Sequence, residues 1–218
     1  MSLIVLEGID GSGKSTQFSL LRSHLETQGK DFSCLRFPQY DKASSALLQM
    51  YLQGEFGQNP NDVNAYAAAT FYAVDRFASY RQVWKEDFLA GKLILADRYT
   101  TSNAVHQGAK LHGMAQNDFF SWLDDFEYQK MELPRPNIVL YLDISLEIAL
   151  ENVAKRQAQT GQWDIHEAGN DYLASCLLAA QQAADFFGWQ KISCVHEGKM
   201  RPQEDIFQDI LTVVQGLL

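Results

Sequence analysis

The residues Gly8-Ile9-Asp10-Gly11-Ser12-Gly13-Lys14-Ser15 fit the spacing G-x-x-x-x-G-K-[ST] without a gap. Each residue type has a physical task at that spacing. Glycines let backbone N–H groups converge on phosphate oxygens, and the start of the following helix adds its partial positive charge. Lys14 can reach the β- and γ-phosphates, and the Ser15 hydroxyl can join a Mg²⁺ shell. Glycine-rich turns also occur for purely structural reasons. An apolar run directly before the segment and a helical pattern directly after it favour a nucleoside-triphosphate site.

A second constellation is Leu93-Ile94-Leu95-Ala96-Asp97-Arg98-Tyr99, an apolar run that ends in a carboxylate and a guanidinium. In a parallel sheet the C-terminal strand ends face the ligand crevice. There Asp97 can hold Mg²⁺ and Arg98 can clamp an anion with two N–H groups. Tyr72 and Arg76 are four residues apart and share a helical face. A ring and a guanidinium so placed can stack on a base and bond its edge, although the surrounding aromatics also read as core.

These groups need a scaffold, and the hydrophobic pattern supplies one. Short apolar runs at Leu3–Glu7, Asp31–Arg36, Leu93–Asp97, Asn137–Asp143 and Ile192–His196 read as strands covered on both faces. Helices fall between them: Lys14 to Gln28, a short one holding Leu47, Leu48, Tyr51 and Leu52, Asp62 to Gly91, Gln116 to Met131, Leu146 to Arg156, Asn170 to Phe187, and one after Pro202. The alternation predicts an α/β fold, a five-stranded parallel sheet flanked by helices. The polar stretch Gln157–Gly169 reads as a lid over the site.

Composition narrows the function classes. With 218 residues the chain suits one domain, and 46% hydrophobic against 21% charged residues supports a sizeable core. The net charge of −9 argues against a broad nucleic-acid-binding face. Three separated cysteines make a poor disulfide framework, no apolar run is long enough to span a membrane, and Leu3-Ile4-Val5-Leu6 is too short for a signal peptide. The expected compartment is the cytoplasm. The five histidines form no ligand cluster, which argues against a zinc site.

Taken together, the chain resembles the thymidylate kinases, P-loop kinases of nucleoside monophosphates. The resemblance rests on Leu6-Glu7-Gly8 through Thr16-Gln17, Phe37-Pro38, Tyr72-Ala73-Val74-Asp75-Arg76, Asp97-Arg98-Tyr99 with Ser102, Gly108-Ala109-Lys110, and Leu133-Pro134-Arg135-Pro136. It implies a P-loop kinase fold over residues 1–218 with a lid at about 157–169, and transfer of the γ-phosphoryl of ATP to dTMP with Mg²⁺. ATP contacts are implied for Gly8, Ile9, Asp10, Gly11, Ser12, Gly13, Lys14, Ser15, Thr16 and Gly198, and metal contacts for Ser15 and Asp97. The acceptor pocket is implied to hold Phe37, Pro38, Tyr40, Tyr72, Arg76, Arg98, Ser102, Asn103, His106 and Gln107. Tyr72 would stack on thymine, Arg76 read its edge, Arg98 hold the acceptor phosphate, and His106 lie near the sugar. Asp10 lies near the acceptor's 3′-hydroxyl and phosphate by the same resemblance, which also implies a homodimer.

The chain departs from the family in places. Gln39-Tyr40 stand where several relatives carry an arginine, Gly11 is not basic, and Asp164-Ile165-His166-Glu167 has isoleucine in place of a lid arginine. Arg156 is then the cation expected beside the transferred phosphoryl, with Lys14, Asp10 and Arg98 as the other catalytic groups. Three alternatives stay open at this level: a deoxynucleoside kinase, a kinase of another pyrimidine monophosphate, and a nucleotide-binding regulator without activity. The first needs a glutamate base after the second strand, where this chain has Arg36-Phe37-Pro38.

Overall fold

Strands with apolar residues at successive positions must be covered on both faces. The computed structural model, which describes residues 2–160 and 170–218, shows how that cover is built. The strands β1 (Ser2–Glu7), β2 (Phe32–Arg36), β3 (Leu93–Asp97), β4 (Ile138–Asp143) and β5 (Gln190–Ser193) form one parallel sheet in the order β2-β3-β1-β4-β5. Alternation along β1 divides the core. Ile4 and Leu6 face α1 (Lys14–Thr27) and α9 (Gln203–Val214) through Phe18, Leu21, Leu25, Ile206 and Ile210. Leu3 and Val5 belong to the other layer, with α5 (Thr101–His106), α6 (Met114–Asp124) and α8 (Asn170–Phe187).

Because all five strands are parallel, their carboxyl ends lie along one edge. Glu7, Arg36 and Asp97 end neighbouring strands there, with Leu6 paired to Asp97 and Arg36 paired to Asp97. The order of β1 between β3 and β4 places the turn after β1 at the centre of that edge, where such sheets bind ligands.

Several boundaries differ from the sequence expectation. The long helix begins at Ala65, where the Asn64 side chain accepts from the Ala67 amide at 2.9 Å, rather than at Asp62. Asp62 instead closes a reciprocal cap with Asn59 on a short 3₁₀ turn. The helix then runs as α3 (Ala65–Ser79), passes through a π-helical stretch at Tyr80–Trp84 and ends as α4 (Lys85–Leu89). The expected Gln116–Met131 helix likewise splits into α6 and a π-helical stretch at Asp125–Lys130. The last expected strand, Ile192–His196, is divided between β5 and a hairpin of β6 (Val195–His196) and β7 (Lys199–Met200). Its turn, Glu197-Gly198, has φ of 49° and 72°, as a tight hairpin turn requires.

The remaining helices, α2 (Ala46–Leu52) and α7 (Leu146–Thr160), occur where expected, with α7 running four residues past Arg156. Gln157–Thr160 of the expected lid therefore belong to α7. The rest of that segment, including Asp164, Ile165, His166 and Glu167, lies outside the described residues.

Candidate active site

The turn after β1 is shaped by contacts that a sequence motif does not display. Gly11 and Gly13 both have φ of +83°, the left-handed region that suits glycine. A Cβ on Gly11 would lie 2.4 Å from the Ala149 carbonyl oxygen of α7, and Asn152 Nδ2 donates to Gly11 O at 2.9 Å. Here α7 packs directly on the loop, so a side chain at Gly11 has no room. No acidic residue stands in the first turn of α1, whose leading amides have no intrahelical partner. The loop is thus open to an anion.

A cavity of about 580 Å³ lies over this loop. Ile9 through Gln17 form its floor, and Arg36, Phe37, Asp97, Arg98, Asn152, Arg156, Met200 and Gln203 complete it. Gly198, at the tip of the β6–β7 turn, is not among the lining residues; Met200 and Gln203 occupy that side. Gly8 is not among them either, and its amide donates to Glu7 Oε1 at 2.9 Å.

The cations of this cavity are paired with the protein itself. The Lys14 ammonium bonds Asp97 Oδ1, and Arg36 Nε donates to Asp97 Oδ2 at 2.9 Å. Burial pushes the Lys14 ammonium below its ordinary pKa, helped by the nearby Arg98 and opposed by Asp97 and Glu7. Asp97 and Ser15 bring a carboxylate and a hydroxyl oxygen to this cavity. One carboxylate and one hydroxyl suit a hard cation that also shares phosphate oxygens. Among the described residues no cluster of three His, Cys, Asp or Glu could hold such an ion alone.

A second cavity, of about 280 Å³, opens on the other side of Arg98. All the residues assigned to the acceptor on sequence grounds meet in it: Phe37, Pro38, Tyr40, Tyr72, Arg76, Arg98, Ser102, Asn103, His106 and Gln107. Asp75 fixes the Phe37-Pro38 loop by accepting from the Gln39 amide at 2.9 Å and from Ser44 Oγ at 2.7 Å. The two cavities share Asp10, Phe37, Arg98 and Arg156, so a group in one faces a group in the other across these side chains.

Arg98 is held from several sides. It is a non-glycine residue with φ of 69°, a conformation that costs about 1–3 kcal/mol and is kept only where the surroundings impose it. Its amide donates to Leu6 O at 3.1 Å, Nη2 donates to Asp10 Oδ1 at 3.0 Å, and Nη1 lies 2.8 Å from His106 Nε2. Burial works against the guanidinium charge, but Asp10, Glu7 and Asp97 outweigh it and raise the Arg98 pKa. Burial raises the Asp10 carboxyl, yet Arg98, then His106, Arg156 and Lys14, bring it below its usual range.

Arg76 is 1% exposed and is aimed by a partner that sequence reading missed. Glu127, also buried, accepts from Arg76 Nε at 2.7 Å and from Nη2, while Nη1 reaches Tyr99 O at 3.3 Å. Asn103 Nδ2 bonds the same carboxylate at 2.9 Å and Ala69 O at 3.0 Å. Glu7 is a second missed acid. Fully buried, it accepts from Thr101 Oγ1 and Ser102 Oγ, both at 2.6 Å, so Ser102 is occupied by the scaffold. Tyr172 on α8 is a third missed residue and closes the acceptor cavity beside His106. Gln107 Oε1 is buried with no hydrogen-bond partner among the described residues, an acceptor available to a ligand N–H.

A further cavity of about 290 Å³ lies beside the starts of β4 and β5. Its polar groups are already paired, Arg135 with Asp124 and Thr100 with Tyr128, and no phosphate-binding turn borders it.

Comparison with known proteins gives the same reading as the geometry. The sequence matches the thymidylate kinase family over residues 6–192. It is 32% identical over 184 residues to the thymidylate kinase of Mycobacterium tuberculosis (strain H37Rv), covering 84% of this chain and 82% of that one. It is 31% identical over 175 residues to the thymidylate kinase of Thermosipho africanus, covering 78% and 82%. It is 32% identical over 157 residues to the thymidylate kinase of Homo sapiens, covering 72% and 66%. With the phosphate turn and a separate pocket meeting at Arg98, this chain belongs to the thymidylate kinase family.

Proposed function

We propose that the protein transfers the γ-phosphoryl group of ATP to dTMP, giving dTDP and ADP, a step of dTTP synthesis. The carrying observation is the pair of cavities that share Asp10, Phe37, Arg98 and Arg156. One has a phosphate turn for the donor. The other has a ring, a fixed guanidinium and a buried acceptor atom for a base.

Phosphoryl transfer of this kind passes through a loose transition state with charge on its equatorial oxygens, so catalysis is mostly positioning and electrostatics. The acceptor is already an anion and needs little base help. Lys14 exchanges its contact with Asp97 for the β- and γ-phosphates. Arg98, fixed by Asp10, holds the acceptor phosphate in line, and Arg156 stands at the junction where negative charge grows. Mg²⁺, arriving on the nucleotide, would be held by Ser15 and Asp97 and would neutralise phosphate charge. Tyr72 and Phe37 cover the base, while Arg76 and Gln107 Oε1 offer its edge a donor and an acceptor.

Residues 1–218 act as one kinase domain. We place the protein in the cytoplasm and read it as a homodimer. Tyr66, Val74 and Phe77 are 38%, 40% and 39% exposed along one stripe of α3, an apolar face suited to a second copy. Among the described residues no helix is long and apolar enough to cross a membrane.

A coupled assay of ADP release across nucleoside monophosphates tests the reaction. dTMP-dependent release is expected. Turnover with thymidine and not with dTMP would overturn the assignment in favour of a nucleoside kinase.

A further inference from the structure

His106 lies at the acceptor end of α5, and its ring nitrogens face different partners. Nε2 is 2.8 Å from Arg98 Nη1, and Nδ1 is 3.3 Å from Tyr172 Oη and 3.7 Å from Cys176 Sγ. A guanidinium can only donate. The 2.8 Å contact therefore requires a lone pair on Nε2, which puts the imidazole proton on Nδ1, toward the α8 hydroxyl. This is one tautomer of a neutral ring, selected by the partner on each side.

We propose that His106 is a positioning residue for the acceptor phosphate. Its neutral imidazole accepts from Arg98 Nη1 and, opposite Asp10 on Nη2, sets the plane of the guanidinium that receives the monophosphate. Arg98 is thereby oriented from both ends, by a carboxylate at 3.0 Å and by an imidazole at 2.8 Å. Protonation of His106 places N–H against N–H, so the imidazole hold is lost and the guanidinium is left to Asp10 and to Glu7, 3.9 Å away. Among the described residues, the charged and titratable groups around the ring include Arg98 after β3, Asp10 in the phosphate turn, Glu7 at the end of β1, Tyr172 and Cys176 on α8, Tyr72 on α3 and Arg156 on α7. None of them can accept in place of Nε2 without moving Arg98. This role rests on the reading of Arg98 as the clamp for a monophosphate acceptor.

An imidazole titrates near pH 6.5 in water, so the sign of the pH effect separates two behaviours. A positioning imidazole makes acceptor binding weaken on acidification. An imidazole that instead becomes a phosphate ligand when charged makes it tighten.

The test compares wild type with His106→Gln, whose carbonyl can accept at the Nε2 position without titrating, and with His106→Phe, which cannot accept. Steady-state KM for dTMP and for ATP is measured from pH 5.5 to 8.5. The second ionisation of dTMP is common to all three enzymes and cancels in the ratios. The wild-type KM for dTMP is expected to rise about tenfold relative to His106→Gln as pH falls, with KM for ATP unmoved. His106→Phe is expected to show the raised KM at every pH. An acid limb identical in His106→Gln and wild type, or a His106→Phe KM equal to wild type at pH 8, overturns the proposal.

Nitrogen NMR of the wild-type imidazole at pH 8, without substrate, gives a readout independent of any variant's folding. A protonated Nδ1 and bare Nε2 are expected, and the opposite tautomer overturns the proposal. Failure of the acceptor assignment itself would look different: no dTMP-dependent turnover at any pH, whatever the tautomer.

Discussion

The donor and acceptor halves of the site handle their cations in opposite ways. On the donor side Lys14 and Arg36 both rest on Asp97, so the charges of this half neutralise one another. On the acceptor side Arg76 and Arg98 are paired with residues that aim them, Glu127 in one case and Asp10 with His106 in the other. In the proposed reaction the donor half exchanges partners when the nucleotide enters. The acceptor half keeps its partners and adds the ligand to the hydrogen-bond sites left over. A flexible triphosphate can be met by backbone amides and a mobile lysine. A rigid base is read by a guanidinium whose orientation is already fixed.

The strongest way to break this contrast is at Glu127. Glu127→Ala leaves the buried Arg76 guanidinium without its counter-charge, and removing one partner of such a pair costs about 3–5 kcal/mol. A fall of that size in unfolding free energy, by urea titration, is expected, together with a raised KM for dTMP. Wild-type stability in Glu127→Ala would show that the acceptor half is no more fixed than the donor half. On the donor side Lys14→Ala should do the reverse. It is expected to lower kcat/KM about 10²-fold, or about 3 kcal/mol in the transition state. Stability should change little, because Arg36 still meets Asp97. Near-normal turnover in that variant would refute the exchange of Lys14 from Asp97 to phosphate.

The same contrast decides what a sequence can display. The donor loop is contiguous: its glycines, Lys14 and Ser15 sit in one turn because local backbone geometry does the binding. Asp97 and Arg98 were legible because an apolar run ended on them. The acceptor half is assembled across the fold, and its supports left weak traces. Glu127 is 51 residues from Arg76, in a stretch that also holds Asp118, Asp124 and Asp125, so nothing local marks one of these acids as the buried partner. Glu7 directly precedes the phosphate turn and shows no task in the local sequence, since it anchors Thr101 and Ser102 far along the chain. Tyr172 gave no signal, because only the packing of α8 on α5 brings it to His106. The strands and most helices were legible from apolar spacing. The π-helical stretches were not, because an extra residue in a turn barely alters a hydrophobic pattern that already runs through Tyr80, Trp84 and Phe88.

Within the acceptor half, contacts made by the ligand should matter less than the buried supports. Tyr72→Ala removes a partly exposed ring from the cavity wall, and aromatic contacts are worth about 0.5–1.5 kcal/mol beyond their area. A rise of about fivefold in KM for dTMP with little change in kcat is expected. An unchanged KM would mean that the ring does not touch the base.

The smallest effect concerns the outer support of that wall. Lys110 Nζ donates to Tyr51 Oη at 3.1 Å and to Val63 O at 2.9 Å, tying the 3₁₀ turn Gly108–Lys110 after α5 to α2 and to the segment before α3. Burial lowers its pKa from 10.5 to about 8. Between those values the unfolded chain binds more protons at this site than the folded one, so its contribution to stability grows as pH rises through that interval. The direction is opposite to that of a lysine held by a carboxylate. Urea midpoints of wild type and Lys110→Met from pH 7 to 9.5 isolate it, because the other titrating groups cancel in the difference. The wild type is expected to gain on the variant as pH rises, since the neutral amine still donates to Tyr51 and Val63 without the cost of a buried charge. Parallel pH profiles would place Lys110 as an ordinary solvated cation, and the acceptor wall would then be fixed by Asp75, Glu127 and Asp10 without it.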